Sequence, residues 1–244
     1  MSLQLMNQES KYAPPRFVEP PPYGYVHLGA VVEPPKGRAP FPGRSSRKTE
    51  LLNRLAALAT TLGHHPEVVR ATVYRARLIP PIGGPGAAAS FDVAVLVETT
   101  SPATLDIVCA SEAYSEILTT LKEASSRLHI TRATCIRSIH DVAKNRRGTY
   151  LFNHFVTELG ADDAVALWEQ LAGWYAVETN LDNSTLLAPT SGDNDFVFVN
   201  HARWDHGLAW VMLKQLTKRT FRTFVLANLK ANRTTAVPVL YQVV

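Results

Sequence analysis

Apolar positions recur along this chain in two rhythms, alternation and a three-to-four-residue step, and each stretch keeps to one of them. Tyr25 to Val32 (YVHLGAVV) is a short apolar run of the kind that forms a strand. From Ser46 to about His64, Leu51, Leu55, Leu58 and Leu62 share one face, after a serine that can cap the start and before Gly63; the spacing predicts a helix. Glu67 to Ile79 alternates Val69, Ala71 and Val73 with Arg70, Thr72 and Tyr74, and ends at Pro80, Pro81 and the turn IGGPG, so it is a strand. Phe91 to Glu98 is a second apolar run, Leu105 to Ser125 has helical spacing through Ile107, Tyr114, Ile117, Leu118 and Leu121, and Leu128 to Ile139 closes as a strand.

After a polar linker the same order returns. Tyr150 to Val156 is read as strand, Asp162 to about Thr179 as helix, Ser184 to Pro189 and Asp195 to Ala202 as strands. Gly207 to about Leu229 is helical with a break near Thr217, and Thr235 to Val243 is the last strand. Each half therefore reads βαββαβ, the split-βαβ or ferredoxin-like unit, and the repetition points to a duplication. The expected organisation is a Pro-rich arm over 1–24, a first unit over 25–140, a linker over 141–148 and a second unit over 149–244.

The strands of the second unit are apolar on both faces. Leu151 and Phe155 oppose Phe152 and Val156, and Phe196 and Phe198 oppose Val197 and Val199. Helices cover only one face of such a sheet, so the other needs a cover, and the first unit's sheet is the nearest candidate. This expectation places a small-molecule pocket between the two sheets and reads Tyr150–Val156 and Asp195–Ala202 as a central, parallel pair. Pro189 and Pro238 suit edge strands, where a missing N–H is tolerated.

Composition narrows the class. The 244 residues are 46% hydrophobic and 19% charged, enough for a sizeable core. No apolar run approaches the ~20 residues that span a bilayer, and no secretory leader opens the chain, so a cytoplasmic protein without a membrane partner is expected. Nine of the sixteen prolines lie in the first 42 residues, which bars continuous helix there. Cys109 and Cys135 have neither a paired spacing nor a Cys/His cluster, which argues against a disulfide framework or a zinc site. Net charge is +4, unevenly spread: 149–205 holds nine Asp/Glu against Arg203 alone, and 206–244 holds six Lys/Arg and no acid. Packing of these two segments against each other would neutralise both; an exposed basic segment is the other reading.

Candidate chemistry gathers where the strands YLFNHFV (Tyr150–Val156) and DFVFVNHARW (Asp195–Trp204) each run into an Asn-His pair. Asn153, Asn200 and Trp204 can form a dry pocket in which amides hold an enol or phenol oxygen and an indole packs on the ring. The competing reading makes the asparagines strand ends and Trp204 core. His154 and His201 are candidates for a general base, or for neutral histidines bonded to neighbours. Side chains alternate along a strand, so each histidine faces away from the asparagine beside it. His64 and His65 suit a helix end, and His206 the surface.

The element order over about residues 25 to 244 resembles the dimeric α+β barrel superfamily in a tandem, single-chain form. The Asn200-to-Trp204 spacing, with Asn153 on the first strand, is similar to that of antibiotic-biosynthesis-monooxygenase-like proteins, as is SEAYSEIL (Ser111–Leu118). The usual Glu before the tryptophan, a tryptophan in the first half and a later helix histidine are missing here. The resemblance implies an α+β fold of two ferredoxin-like units. It also implies, as functions, cofactor-independent oxygenation or isomerisation of a small hydrophobic or aromatic compound, or ligand or partner binding without catalysis. Some relatives bind haem, which would make His154 or His201 an axial ligand, and a homodimer is also in keeping with the superfamily. A module of the same topology binds RNA on exposed aromatics, and Phe152, Phe196 and Phe198 occupy such positions; the acidic surroundings oppose nucleic acid.

Overall fold

The structure, a computed structural model, describes residues 2–36, 39–82, 89–192 and 194–244. The turn read at IGGPG beyond Ile82 and the position of Asp193 lie outside these residues. The first unit comprises β1 (Gly24–Val31), α1 (Ser46–Leu62), β2 (Val68–Leu78), β3 (Val93–Thr99), α2 (Leu105–Cys109), α3 (Glu112–Ala124) and β4 (Arg127–His140). The second comprises β5 (Thr149–Val156), α4 (Ala161–Thr179), β6 (Ser184–Pro189), β7 (Phe198–Trp204), α5 (Leu208–Thr217), a π-helical turn (Phe221–Leu226), α6 (Ala227–Ala231) and β8 (Thr235–Val243).

Local chemistry sets the helix ends. Ser45 caps α1 by accepting from the Lys48 N–H at 3.0 Å, and Ser111 caps α3 by accepting from the Tyr114 N–H. The helix expected over Leu105–Ser125 is split there, because Ser111 takes the extended conformation of an N-cap. Asn180 ends α4 in the left-handed region. His65 accepts from the Glu67 N–H through Nδ1, and His206 is exposed and stacks on Trp210.

Eight strands close into one antiparallel barrel in the order β1-β3-β2-β8-β5-β7-β6-β4. Each unit contributes four, and β2–β8 and β4–β6 are the seams between them. The pair β5–β7 is antiparallel, which corrects the parallel reading: a βαβ crossover leaves room for a strand running the other way between its two strands, and β7 fills it. Closure also removes sheet edges. Pro238 lies past the last β2–β8 pair, Leu78–Leu240, and Pro189 past the last β6–β7 pair, so each falls where its strand has lost one neighbour.

The space between the two halves is filled. Tyr25, Tyr74, Tyr150, Phe152 and Tyr241 pack in the barrel with Leu96, Leu187, Val199 and Val239, and Phe91 lies over Gly29, where a Cβ would meet its ring at 2.5 Å. Among the described residues the expected pocket between the sheets is therefore absent: large aromatics from both halves interlock where a ligand would need room. The outer layers differ from each other. In the first unit, α1 and α3 bury Leu51, Leu55, Leu62, Ile117 and Leu121 against Val26, Leu28, Val95 and Val97. In the second unit the corresponding helix-to-sheet layer contains a cavity.

The arm before β1 lies across the second unit through Gln4 to Phe17 and then crosses to the first, where Val18 bridges Ser138 of β4. Asn232, at the C-cap of α6, and Asn228 on α6 accept from the backbone N–H of Gln4 and Met6 at 2.8 Å and donate to the carbonyls of the same two residues. Tyr12 is buried against α4 and Phe224, and its hydroxyl donates to Glu178 at 2.7 Å. Gly173 makes this fit possible, since a Cβ there would stand 2.3 Å from the Tyr12 carbonyl oxygen.

Candidate functional site

The outward faces of β5, β7 and β8 form the floor of the cavity. Alternation along β5 sends Leu151, Asn153 and Phe155 outward and Tyr150, Phe152 and His154 into the barrel. Along β7 it sends Asn200 and Trp204 outward and Val199 and His201 inward. Asn153 and Asn200 are register partners, so their amides stand side by side on the floor. Trp168, Leu171 and Tyr175 of α4 form one wall. Met212, Leu216, Phe221, Val225 and Leu226, on α5 and the π turn, form the roof, and Pro80 and Ile82 of the first unit reach one side. The volume is about 350 Å³.

Roof curvature comes from the helix break expected near Thr217. Lys218 takes an extended conformation after α5, and the chain resumes as the wide π turn. Such turns widen the helix locally and often accompany functional sites.

The cavity is apolar apart from a cluster on its floor and Gln215 and Tyr175 above. Ser184, at the start of β6, donates to Asn200 Oδ1 at 2.5 Å. In that orientation the Asn200 amide N–H groups are left for the cavity. Asn153 Oδ1 is buried without a hydrogen-bond partner. A buried carbonyl without a donor costs roughly 1–3 kcal/mol, so the pair offers a ligand one acceptor and one set of donors at adjacent points. Trp204 contributes its ring to the wall; its N–H is already used, donating to Thr179 Oγ1 at 3.0 Å. No Asp, Glu, Lys, Arg, His or Cys side chain lines the cavity among the described residues. Burial raises the Tyr175 hydroxyl above its ordinary range, so it stays protonated.

His154 and His201 belong to the barrel interior, apart from the asparagines. Both are fully buried. His201 stacks on Phe152 at 4.2 Å, bonds the Leu151 carbonyl through Nδ1 at 2.9 Å and meets the Tyr74 hydroxyl at 3.3 Å. His154 packs 5.2 Å from the ring of His27 and 4.8 Å from that of Phe196, with only a weak contact to the Val237 backbone. Burial holds His154 and His201 well below the usual imidazole range and lowers His27 to about 3. All three are neutral at physiological pH and closed off by aromatic rings. A haem does not fit at either expected ligand: both ring nitrogens of His201 are engaged by the Leu151 carbonyl and the Tyr74 hydroxyl, His154 is fully buried among His27, Phe91 and Phe196, and neither histidine lines the cavity.

The RNA-binding reading also fails. Phe152 and Phe196 are inside the closed barrel, and Phe198 is buried against Phe155 beneath the helices, so no aromatic platform is open to bases. Ser184 was missed by sequence reasoning. Its signal was its position opposite Ala202 in the β6–β7 pair, diagonal to Asn200, which only the register reveals.

The chain matches no sequence-family model and no curated protein. Solved structures do match. An anthrone oxidase-like protein aligns with a TM-score of 0.63 at 13% identity, covering 94% of each chain. The fold the two share is a closed α+β barrel. Both halves of this barrel lie on one chain. A candidate monooxygenase from Fusobacterium nucleatum subsp. nucleatum aligns with the barrel at a TM-score of 0.59 and 7% identity, over 93% of this chain and 94% of the other. Another from Lactobacillus acidophilus reaches 0.54 at 7% identity, over 91% and 94%. Similarity at this identity is similarity of fold. No helix of the barrel among the described residues is long and apolar enough to cross a membrane.

Proposed function

We propose that the cavity between the second sheet and its helices binds a small hydroxylated aromatic compound and promotes its reaction with dioxygen. The observation that carries this reading is the Asn153–Asn200 pair: an unpartnered buried carbonyl beside free amide N–H groups in an otherwise apolar cavity. A ligand with a hydroxyl beside a carbonyl or oxyanion satisfies both at once. Asn153 Oδ1 accepts from the hydroxyl, and the Asn200 amide donates to the oxygen on which negative charge develops. Trp204 and Trp168 supply apolar ring surface to the cavity, and no Asp, Glu, Lys, Arg or His stands at its floor among the described residues, so the substrate's own acidity provides the electron-rich form.

In such a reaction a ring CH₂ becomes C=O. Dioxygen is the oxidant; one of its atoms enters the substrate and the other leaves as water with the two hydrogens removed from carbon. The residues' part is to hold the anion dry and oriented. The structural neighbours named as an anthrone oxidase-like protein and candidate monooxygenases support this class of chemistry by analogy of fold.

The test is oxygen uptake with a panel of hydroxylated aromatics, together with ligand binding followed by quenching of tryptophan fluorescence. Asn200→Ala and Trp204→Phe are each expected to abolish turnover with the fold intact by circular dichroism. Wild-type rates in both variants would refute the reading. Binding without oxygen uptake by any ligand would instead establish the second reading, a non-catalytic binding barrel, which the lack of any Asp, Glu, Lys, Arg, His or Cys side chain in the cavity among the described residues favours.

A further inference from the structure

Three leucines are strongly exposed among the described residues, and all three lie on the roof segment: Leu213 at 60%, Leu216 at 57% and Leu226 at 46%. Leu216 and Leu226 also line the cavity, so the exposed apolar surface is continuous with its mouth. Met6, 43% exposed, is bonded through its backbone to Asn228 on α6 and adds to the same region. On α5, Ala209, Leu213, Leu216 and Thr217 share the exposed face.

Charge on this segment has one sign. Lys214, Lys218, Arg219, Arg222, Lys230 and Arg233 face no acid anywhere in 206–244. The acidic stretch before it compensates two of the six: Lys218 pairs with Glu178 at 2.8 Å and Arg233 with Glu158 at 2.9 Å. Lys214 stands over the Trp210 ring, and Arg219, Arg222 and Lys230 are exposed. The neutralisation expected from sequence is thus partial, and it leaves cations interleaved with exposed leucines.

We propose that the α5–α6 roof docks onto an anionic lipid bilayer. Leucines on an exposed helix face gain by entering the acyl boundary, and flanking Lys and Arg gain by sitting among anionic headgroups. A neutral protein partner would answer the leucines and leave the cations unmatched. A second copy of this chain would set like charges against like across a two-fold interface. The anionic bilayer satisfies both features. Docking would turn the cavity mouth toward the layer in which apolar compounds accumulate; this last point rests on the proposed function of the cavity, and the docking does not.

The test is co-sedimentation of the full chain with vesicles of phosphatidylcholine alone or with about 30% phosphatidylglycerol, at physiological salt. Binding is expected to rise roughly tenfold with the anionic lipid and to fall to the neutral-vesicle level in Arg219→Glu/Arg222→Glu and in Leu213→Ser. None of these three residues lines the cavity, and all are exposed, so folding is expected to be retained and is checked by melting temperature. A Leu213→Trp variant should show a blue-shifted emission on vesicle addition. Absence of binding, or binding indifferent to these substitutions, overturns the proposal. A dimer by analytical ultracentrifugation that Leu213→Ser dissociates also overturns it, because the face is then covered by a second copy.

Discussion

Asn153 and Asn200 stand opposite each other across β5 and β7, and only Asn200 has a protein partner for its side-chain oxygen. The unsatisfied member costs the folded state free energy that an apolar side chain would not. Asn153→Leu is expected to raise stability by about 1 kcal/mol in urea denaturation while eliminating ligand binding. Loss of both stability and binding would show that Asn153 is a structural residue.

Ser184 fixes the orientation of Asn200. Ser184→Ala removes the 2.5 Å bond and lets the amide turn, so its N–H groups no longer point reliably into the cavity. A loss of roughly tenfold in kcat with little change in far-UV circular dichroism is expected, at about 1 kcal/mol of stability. Equal kcat in Ser184→Ala and wild type would free Asn200 of any need for positioning.

Three neutral histidines in the barrel make it sensitive to acid. His27, His154 and His201 have folded-state pKa values below that of an unfolded histidine, near 6.5. Between those limits the unfolded chain binds more protons, so stability is full above about pH 6.5 and declines as pH falls, by up to about 1.4 kcal/mol per pH unit for each histidine. For His27 the decline continues to about pH 3. Denaturation midpoints at pH 7.5 and 5 should differ, and His27→Phe should reduce the proton uptake on unfolding by about one. An unchanged pH slope in that variant would mean that His27 is protonated in the fold.

Gly173 carries the arm. In Gly173→Ala the new methyl meets the Tyr12 carbonyl, and either α4 or the arm must shift. A loss of about 1–3 kcal/mol is expected, with faster proteolysis within residues 2–23. Retained protection of the arm would show that α4 absorbs the strain instead.

The sequence disclosed the repeated βαββαβ order through leucine spacing and alternating strands, and it disclosed that Asn153 and His154 must face opposite ways. It did not disclose which way. Both faces of β5 are apolar, so only closure of the sheet decides that Phe152 and His154 enter the barrel while Leu151 and Asn153 meet the helices. The position of the cavity was equally hidden. Leu51, Leu55 and Leu62 fill one outer layer, and Leu167, Leu171 and Trp174 have similar spacing in the other; what differs is the helix break, expected near Thr217 and found at Lys218, whose effect on the roof depends on tertiary packing. Strand limits moved for the same reason. The strand expected from Asp195 begins at Phe198, because Asn194 accepts from the Phe196 N–H and holds the residues before it in a turn.

The seams β2–β8 and β4–β6 join the two units through strands of one polypeptide. In a barrel assembled from two chains, closure is a second-order event and dilution can reverse it. Here the second half is tethered to the first by the short segment after His140, so each meets the other at an effective concentration fixed by the tether. The melting temperature of barrel closure should therefore be independent of protein concentration, and either half could diverge in sequence without its copy having to follow.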